Sequence, residues 1–165
     1  WLVKSSAVWI QVRYDTINQR KPGVAYLTKV AVGGPFLEGN TMMIESNAVG
    51  AQVWWNEGLV LQGQALASYS AMNGNVVVDR VAPGSRRARD QVEAKLPVDV
   101  RVIVQAIVKP GKSTFLSATI KMLPLNGQDG QCGNFNGDER DDDESAIQQR
   151  GFTDTVSPSE SMIPY

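Results

Sequence analysis

The chain contains no histidine in its 165 residues. That removes imidazole general acid–base catalysis, Ser-His-Asp and Cys-His arrangements, and zinc sites with histidine ligands. It contains one cysteine, Cys132, so no disulfide can close within the chain and no multi-cysteine cluster can hold a metal. Cys132 is therefore either a buried free thiol or the partner of a thiol on another chain. No apolar run approaches the roughly 20 residues of a membrane-spanning helix. Charge of one sign is not in excess either: 16 Lys and Arg against 17 Asp and Glu leave a net charge of -1, so the overall balance does not point to nucleic acid. A sustained 3.6-residue apolar period is also missing. The one helical candidate, Asp142 to Gln149, is short and polar.

What the sequence does have is period-two alternation. From Val98 to Val108 the even positions are all apolar, while the odd ones include Asp99, Arg101 and Gln105. Phe115 to Leu123 alternates as well, with Leu116, Ala118, Ile120 and Met122 on one face. The turn Lys109-Pro110-Gly111-Lys112 between them suits type II geometry, so the two runs predict a long hairpin. Val8, Ile10, Val12 and Tyr14 share a face of an earlier strand, and Val24 to Val32 forms the next, reached through Asn18 to Gly23. Short strands are predicted at Thr41 to Ser46 and Asn75 to Val81. A hairpin is predicted with Gln52 to Trp55 and Leu59 to Leu61 around Asn56-Glu57-Gly58. Many short strands separated by turn signals predict an all-β, antiparallel β-sandwich. Gly33-Gly34-Pro35 interrupts a strand, Ala82 to Asp90 reads as a basic exposed loop, and 151–165, rich in Ser, Thr and Pro, reads as an extended arm behind a domain spanning 1–150.

The sharpest local signal is the run from Gly130 to Asp143. Asn134, Asn136 and Asp138 stand at alternate positions, followed by Asp141 and Asp142. Hard cations such as Ca²⁺ take about six to eight oxygen ligands, and alternate side chains in a tight glycine-containing loop can converge on one point. The spacing opens like an EF-hand loop but departs from it at Glu139, where that loop needs Gly, and at Ser145, where it needs Glu. The plain alternative is a solvated acidic turn. Asp138 to Glu144 holds six acids and one Arg. The remainder of the chain is mildly basic, and a bound cation would relieve the repulsion among these carboxylates. The acids that follow Cys132 disfavour its thiolate, which argues against a nucleophilic role.

Gly-Gln-Cys-Gly-Asn-Phe-Asn-Gly-Asp at 130–138 resembles the signature near the end of the von Willebrand factor type D domain. Val8 to Tyr14 and Lys29 to Phe36 are similar to that domain's middle strands, and the hairpin from Trp54 to Leu61 fits its short one. Together with Gly-Gly-Pro-Phe-Leu-Glu-Gly-Asn at 33–40, the match resembles a cysteine-poor, algal-type variant and covers residues 1–147.

The resemblance implies an extracytoplasmic, non-enzymatic module for adhesion or protein assembly, stabilised by one Ca²⁺. Carried over by position, the side chains of Asn134, Asn136, Asp141 and Asp142 and the backbone carbonyl of Asp138 would be the ligands. The family's opening Gly-Asp-Pro-His strand, whose Asp reaches the metal, is not in this sequence. The chain opens on Trp1-Leu2-Val3 without an initiator Met or signal core, and reads as a mature product or a piece of a longer chain. Either a separate N-terminal fragment of the same precursor, an expected partner, supplies that strand, or the site lacks one ligand; Cys132 is then expected to pair upstream of Trp1 or on another chain, or, without a partner, to be an inert thiol. The expected location is secreted or at the cell surface. A rival reading is an accessory docking subunit of a larger membrane or lumenal complex, such as one in the thylakoid lumen.

Two further features have plain readings beside functional ones. Arg86-Arg87-Ala88-Arg89 resembles a dibasic processing site, but such runs are mostly soluble loops. Trp54 and Trp55, adjacent in a strand, must face opposite sides, which makes them a candidate partner surface. A hydrolase is disfavoured, because nothing groups the Asp and Ser residues into a nucleophile and its base.

Overall fold

The computed structural model describes residues 1–15, 25–48, 50–63, 65–83, 88–108, 114–131 and 149. Eleven strands are formed by these residues, and they lie in two antiparallel sheets, a β-sandwich architecture. One sheet has the order β1-β2-β3-β4-β5-β6, with β1 Val3–Lys4, β2 Trp9–Asp15, β3 Tyr26–Gly33, β4 Met42–Ser46, β5 Ala51–Trp55 and β6 Gly58–Leu61. The other runs β11-β10-β9-β8-β7, with β7 Ala67–Ala71, β8 Val76–Val81, β9 Ala88–Leu96, β10 Val100–Val108 and β11 Thr114–Lys121. Both sheets are meanders, because each strand pairs with its sequence neighbour. Short connections favour that topology.

The chain divides into two compact units. The smaller comprises Trp1–Val12, Ala31–Thr41 and Pro124–Tyr165; the larger comprises Arg13–Val30 and Met42–Leu123. In the larger unit, strands of both sheets enclose an aliphatic core. Met42, Ile44, Val53, Val76, Val78, Val92, Val100, Val102, Val104 and Ala106 are fully buried. The alternation of β10 is the clearest case: Val100, Val102, Val104 and Ala106 lie inside, while Arg101 is exposed. Each buried Val side chain contributes roughly 1.5–3 kcal/mol.

In the smaller unit, Val3, Val8, Ile10, Val32 and Leu37 are buried. The β1–β2 hairpin is closed by Ser5, whose backbone N–H donates to the Val8 carbonyl and whose Oγ accepts from the N–H groups of Ala7 and Val8 at 3.2 and 2.9 Å. Gly34 ends β3 at φ 114, where a Cβ would stand 2.5 Å from the Ala7 carbonyl oxygen. Pro35 then opens a 3-10 turn, Pro35–Leu37. The strand break expected at Gly33-Gly34-Pro35 is therefore a close approach that only glycine permits.

Three sequence expectations need correction. Residues 88–90, expected in an exposed loop, begin β9, with Ala88 and Asp90 buried. Val98, expected to open a strand, sits in the β9–β10 turn at φ 53 beside Asp99 at φ 57. The Val100 N–H donates to the Pro97 carbonyl at 3.3 Å, so this is a type I′ turn made without its usual Asn-Gly pair. Finally, β11 ends at Lys121, and Leu123 beyond it is exposed. The turns expected at 18–23 and 109–112, and the arm at 151–165, lie outside the described residues.

Candidate functional site

The five expected cation ligands, Asn134, Asn136, Asp138, Asp141 and Asp142, and Cys132 beside them, lie outside the described residues. So do Arg86 and Arg87 of the basic run. Among the described residues no three Cys, Asp or Glu side chains gather in a way that could hold a metal ion. The structure does show the path by which the chain enters the motif.

That path is an added strand segment. Asp129 forms an antiparallel bridge with Lys4, with the Lys4 N–H donating to the Asp129 carbonyl at 2.7 Å and the Asp129 N–H to the Lys4 carbonyl at 2.8 Å. Two residues later the Gln131 N–H donates to the Trp1 carbonyl at 3.0 Å. Between them Gly130 adopts φ 135, and a Cβ there would stand 2.5 Å from the Leu2 carbonyl oxygen and 2.8 Å from its carbon. The first glycine of the Gly-Gln-Cys-Gly-Asn run is thus required by backbone-to-backbone contact. Local side chains complete the entry: the Asp129 Oδ1 accepts from the Gly130 N–H at 2.7 Å, and the buried Gln128 accepts from the Leu125 N–H at 3.2 Å. The result fixes the residue before Cys132 against the N-terminal strand.

Trp54 and Trp55 fall on opposite faces, as their adjacency requires. Trp55 is the register partner of buried Met42, and its ring lies 6.2 Å from that of Tyr69 on the other sheet, at 48°. Trp54 is paired with Met43 and Leu59 on the outer face. Its indole N–H is enclosed and has no hydrogen-bond partner. Both rings are half-buried; among the described residues the large apolar side chains that are exposed are Tyr14, Leu59, Leu66, Val98 and Leu123.

A charged cluster that the sequence reading missed lies inside the larger unit. Arg80 on β8 and Asp90 on β9 form an ion pair with their side chains 1% and 2% exposed. Both turn towards β5 of the facing sheet. The Arg80 Nη2 donates to the Ala51 carbonyl at 2.8 Å, and the Ala51 N–H donates to the Asp90 Oδ2 at 2.9 Å. The pair therefore satisfies both backbone groups of the buried Ala51. Gly50 is buried directly against the carboxylate, where a Cβ would stand 2.7 Å from Oδ2. The Arg80 Nε has no partner. This arrangement offers neither an open coordination position nor access for a substrate, and it reads as a polar lock between strands.

No family model matches the chain, and no curated protein or solved structure is significantly similar to it.

Proposed function

We propose that this chain is a non-enzymatic structural and interaction module of the von Willebrand type D kind, stabilised by one Ca²⁺ and working in protein–protein assembly or adhesion outside the cytoplasm. The observation that carries the reading is the anchoring of Asp129-Gly130-Gln131 along Trp1–Lys4 by three backbone hydrogen bonds. These bonds hold the chain against its N-terminal segment as far as Gln131, at the entry to the motif. The donor set supports a hard cation: two Asn amide oxygens, two Asp carboxylates and one backbone carbonyl are all oxygen ligands. Asn134, Asn136, Asp141, Asp142 and the Asp138 carbonyl would hold the ion, and the ion would neutralise the acidic run. An N-terminal fragment of the same precursor would supply the remaining ligand and a thiol for Cys132.

The test is thermal unfolding of the full chain with excess Ca²⁺ and with chelator. Binding to the folded form alone stabilises by about 2.7 kcal/mol at a hundredfold excess over Kd, roughly 5–10 °C for a chain of this size. Mg²⁺ at the same concentration should shift the midpoint less, because Mg²⁺ demands near-ideal octahedral geometry and gives up its waters reluctantly. The absence of a Ca²⁺ shift, or an equal shift in an Asn136→Ala, Asp142→Ala variant, would sink the reading.

A further inference from the structure

We propose that β11 is a homodimerisation edge, pairing antiparallel with β11 of a second copy about a two-fold axis at Thr119. This deepens the assembly reading above but does not depend on the cation.

A sheet edge presents unpaired N–H and C=O groups, and stable proteins blunt their edges. Three of the four edges here are blunted. Strand β1 has two residues, and its free side is taken by Asp129. Strand β6 has four residues and begins on an exposed glycine. Strand β7 has five, mostly exposed and interrupted by Ser68 and Ser70. Strand β11 has eight, with no proline, glycine or bulge in its pairing with β10, and among the described residues nothing pairs with its other side. Its inner face is covered unevenly. Thr114 and Leu116 are buried, whereas Ala118, Ile120 and Met122 are only half-buried. The Phe115 ring packs on Tyr26 at 5.0 Å, so that end of the strand is occupied. The open stretch is 117–121.

The occupant follows from geometry and charge. In a two-fold pairing that continues the sheet, inner-face residues must meet inner-face residues, so even positions oppose even ones. On the outer face Lys95, Arg101 and Lys121 already stand directly opposite one another across β9, β10 and β11. A register placing Lys121 against its own copy would set like charges directly opposite, beside Arg101 of each copy, which is disfavoured. Centring the axis on Thr119 avoids this. Lys121 then meets Ser117 of the partner copy, and the cationic row runs into the partner row of Ser117, Gln105 and Gln91, which Gln105 joins by a 2.7 Å hydrogen bond to Gln91. On the inner face Ala118 meets Ile120 and Leu116 meets Met122, small against large and apolar against apolar. Thr119 meets Thr119, a favourable cross-strand pair. The same strand thus complements itself in backbone and volume, with no like charges opposed.

The interface is short, so the dimer is expected to be weak and concentration-dependent. Sedimentation of the full chain over a hundredfold concentration range should show the mean mass rising towards twice the monomer and stopping there, because a two-fold contact closes. The rise should persist in chelator, which separates this proposal from the cation reading. Thr119→Lys, at an exposed position, should abolish the dimer while leaving the circular dichroism spectrum unchanged. In a Cys132→Ser background, Thr119→Cys should give a disulfide-linked dimer under mild oxidation in severalfold higher yield than Ser117→Cys. A monomer at every concentration would overturn the proposal. So would a dimer indifferent to Thr119→Lys, equal cross-linking at 117 and 119, or protection in the monomer of the β11 amides that face away from β10, which would mean the chain covers its own edge.

Discussion

Arg80 and Asp90, ten residues apart on adjacent strands, meet inside the sandwich and together hold both the N–H and the C=O of Ala51. A buried ion pair is weak support for stability when compared with an apolar replacement, but breaking it from one side is costly. Asp90→Ala should destabilise by about 3–5 kcal/mol, because it leaves the Arg80 charge and the Ala51 N–H unpaired. Urea unfolding followed by tryptophan fluorescence measures this. Gly50→Ala should also destabilise, since its new methyl would collide with the carboxylate. In the Asp90→Ala background that second cost should shrink, giving a coupling of about 0.5 kcal/mol or more in a double-mutant cycle. Simple additivity would contradict the geometry.

The β9–β10 turn should be improvable. Val98 is β-branched, sits at φ 53 and is 53% exposed. A left-handed conformation costs such a residue about 1–2 kcal/mol. Val98→Asn should raise stability by roughly 1 kcal/mol, and Val98→Gly by somewhat less because glycine loses more entropy on folding. Val98→Ile should bring no gain. Thermal midpoints of the three variants decide the matter.

Gly130→Ala should loosen the entry to the cysteine-containing motif. Its φ of 135 and the Leu2 backbone leave no room for a methyl group. Strain of this kind costs on the order of 1–3 kcal/mol, and here it can be relieved by opening the bridge to Lys4. Hydrogen exchange should therefore show faster exchange at the Lys4, Asp129 and Gln131 amides, with the β8–β10 amides unchanged. The Ca²⁺-induced thermal shift should fall in the same variant. Unchanged exchange at those three amides would refute the anchoring role.

Cys132 should behave as a structural residue. With native protein near pH 7, a thiol reagent should label it slowly, as expected for a position followed by six acids and one Arg. Cys132→Ser should keep the fold. If a partner thiol exists in native material, non-reducing mass spectrometry will find it, and losing that bond should cost about 2–4 kcal/mol. Rapid labelling of the native protein would refute this.

Most strands could be read from the sequence, because their inner faces carry uninterrupted aliphatic residues. Strands β8 and β10 are the plainest, with Val76-Val78 and Val100-Val102-Val104-Ala106 inside. Strand β9 was hidden, although Ala88, Val92, Ala94 and Leu96 do alternate. Asp90 occupies one of its inward positions and arginines crowd its start, so the segment reads as a solvated loop. The inward carboxylate makes sense only beside Arg80 and Ala51, and no local pattern announces a partner on another sheet. The opposite error occurred at Val98. Its side chain continues the alternation of β10, but backbone torsion and not side-chain polarity sets where that strand starts. At the candidate site, the oxygen-rich donors and the glycines were legible as types. The reason Gly130 must be glycine was not, because the atom it would strike belongs to Leu2.

The bridge between Lys4 and Asp129 also has a kinetic meaning. Nearly all of the described chain lies between these two residues. Neighbouring strands in the two meanders are joined by ten residues or fewer, whereas this contact and the Gln131–Trp1 bond beside it close over most of the described chain, at a larger entropic cost. It should be the last contact to form during folding and among the first to open in the native state. Whatever binds the residues beyond 131 would then act on the final step of folding, latching two distant parts of the chain once the strands between them are paired.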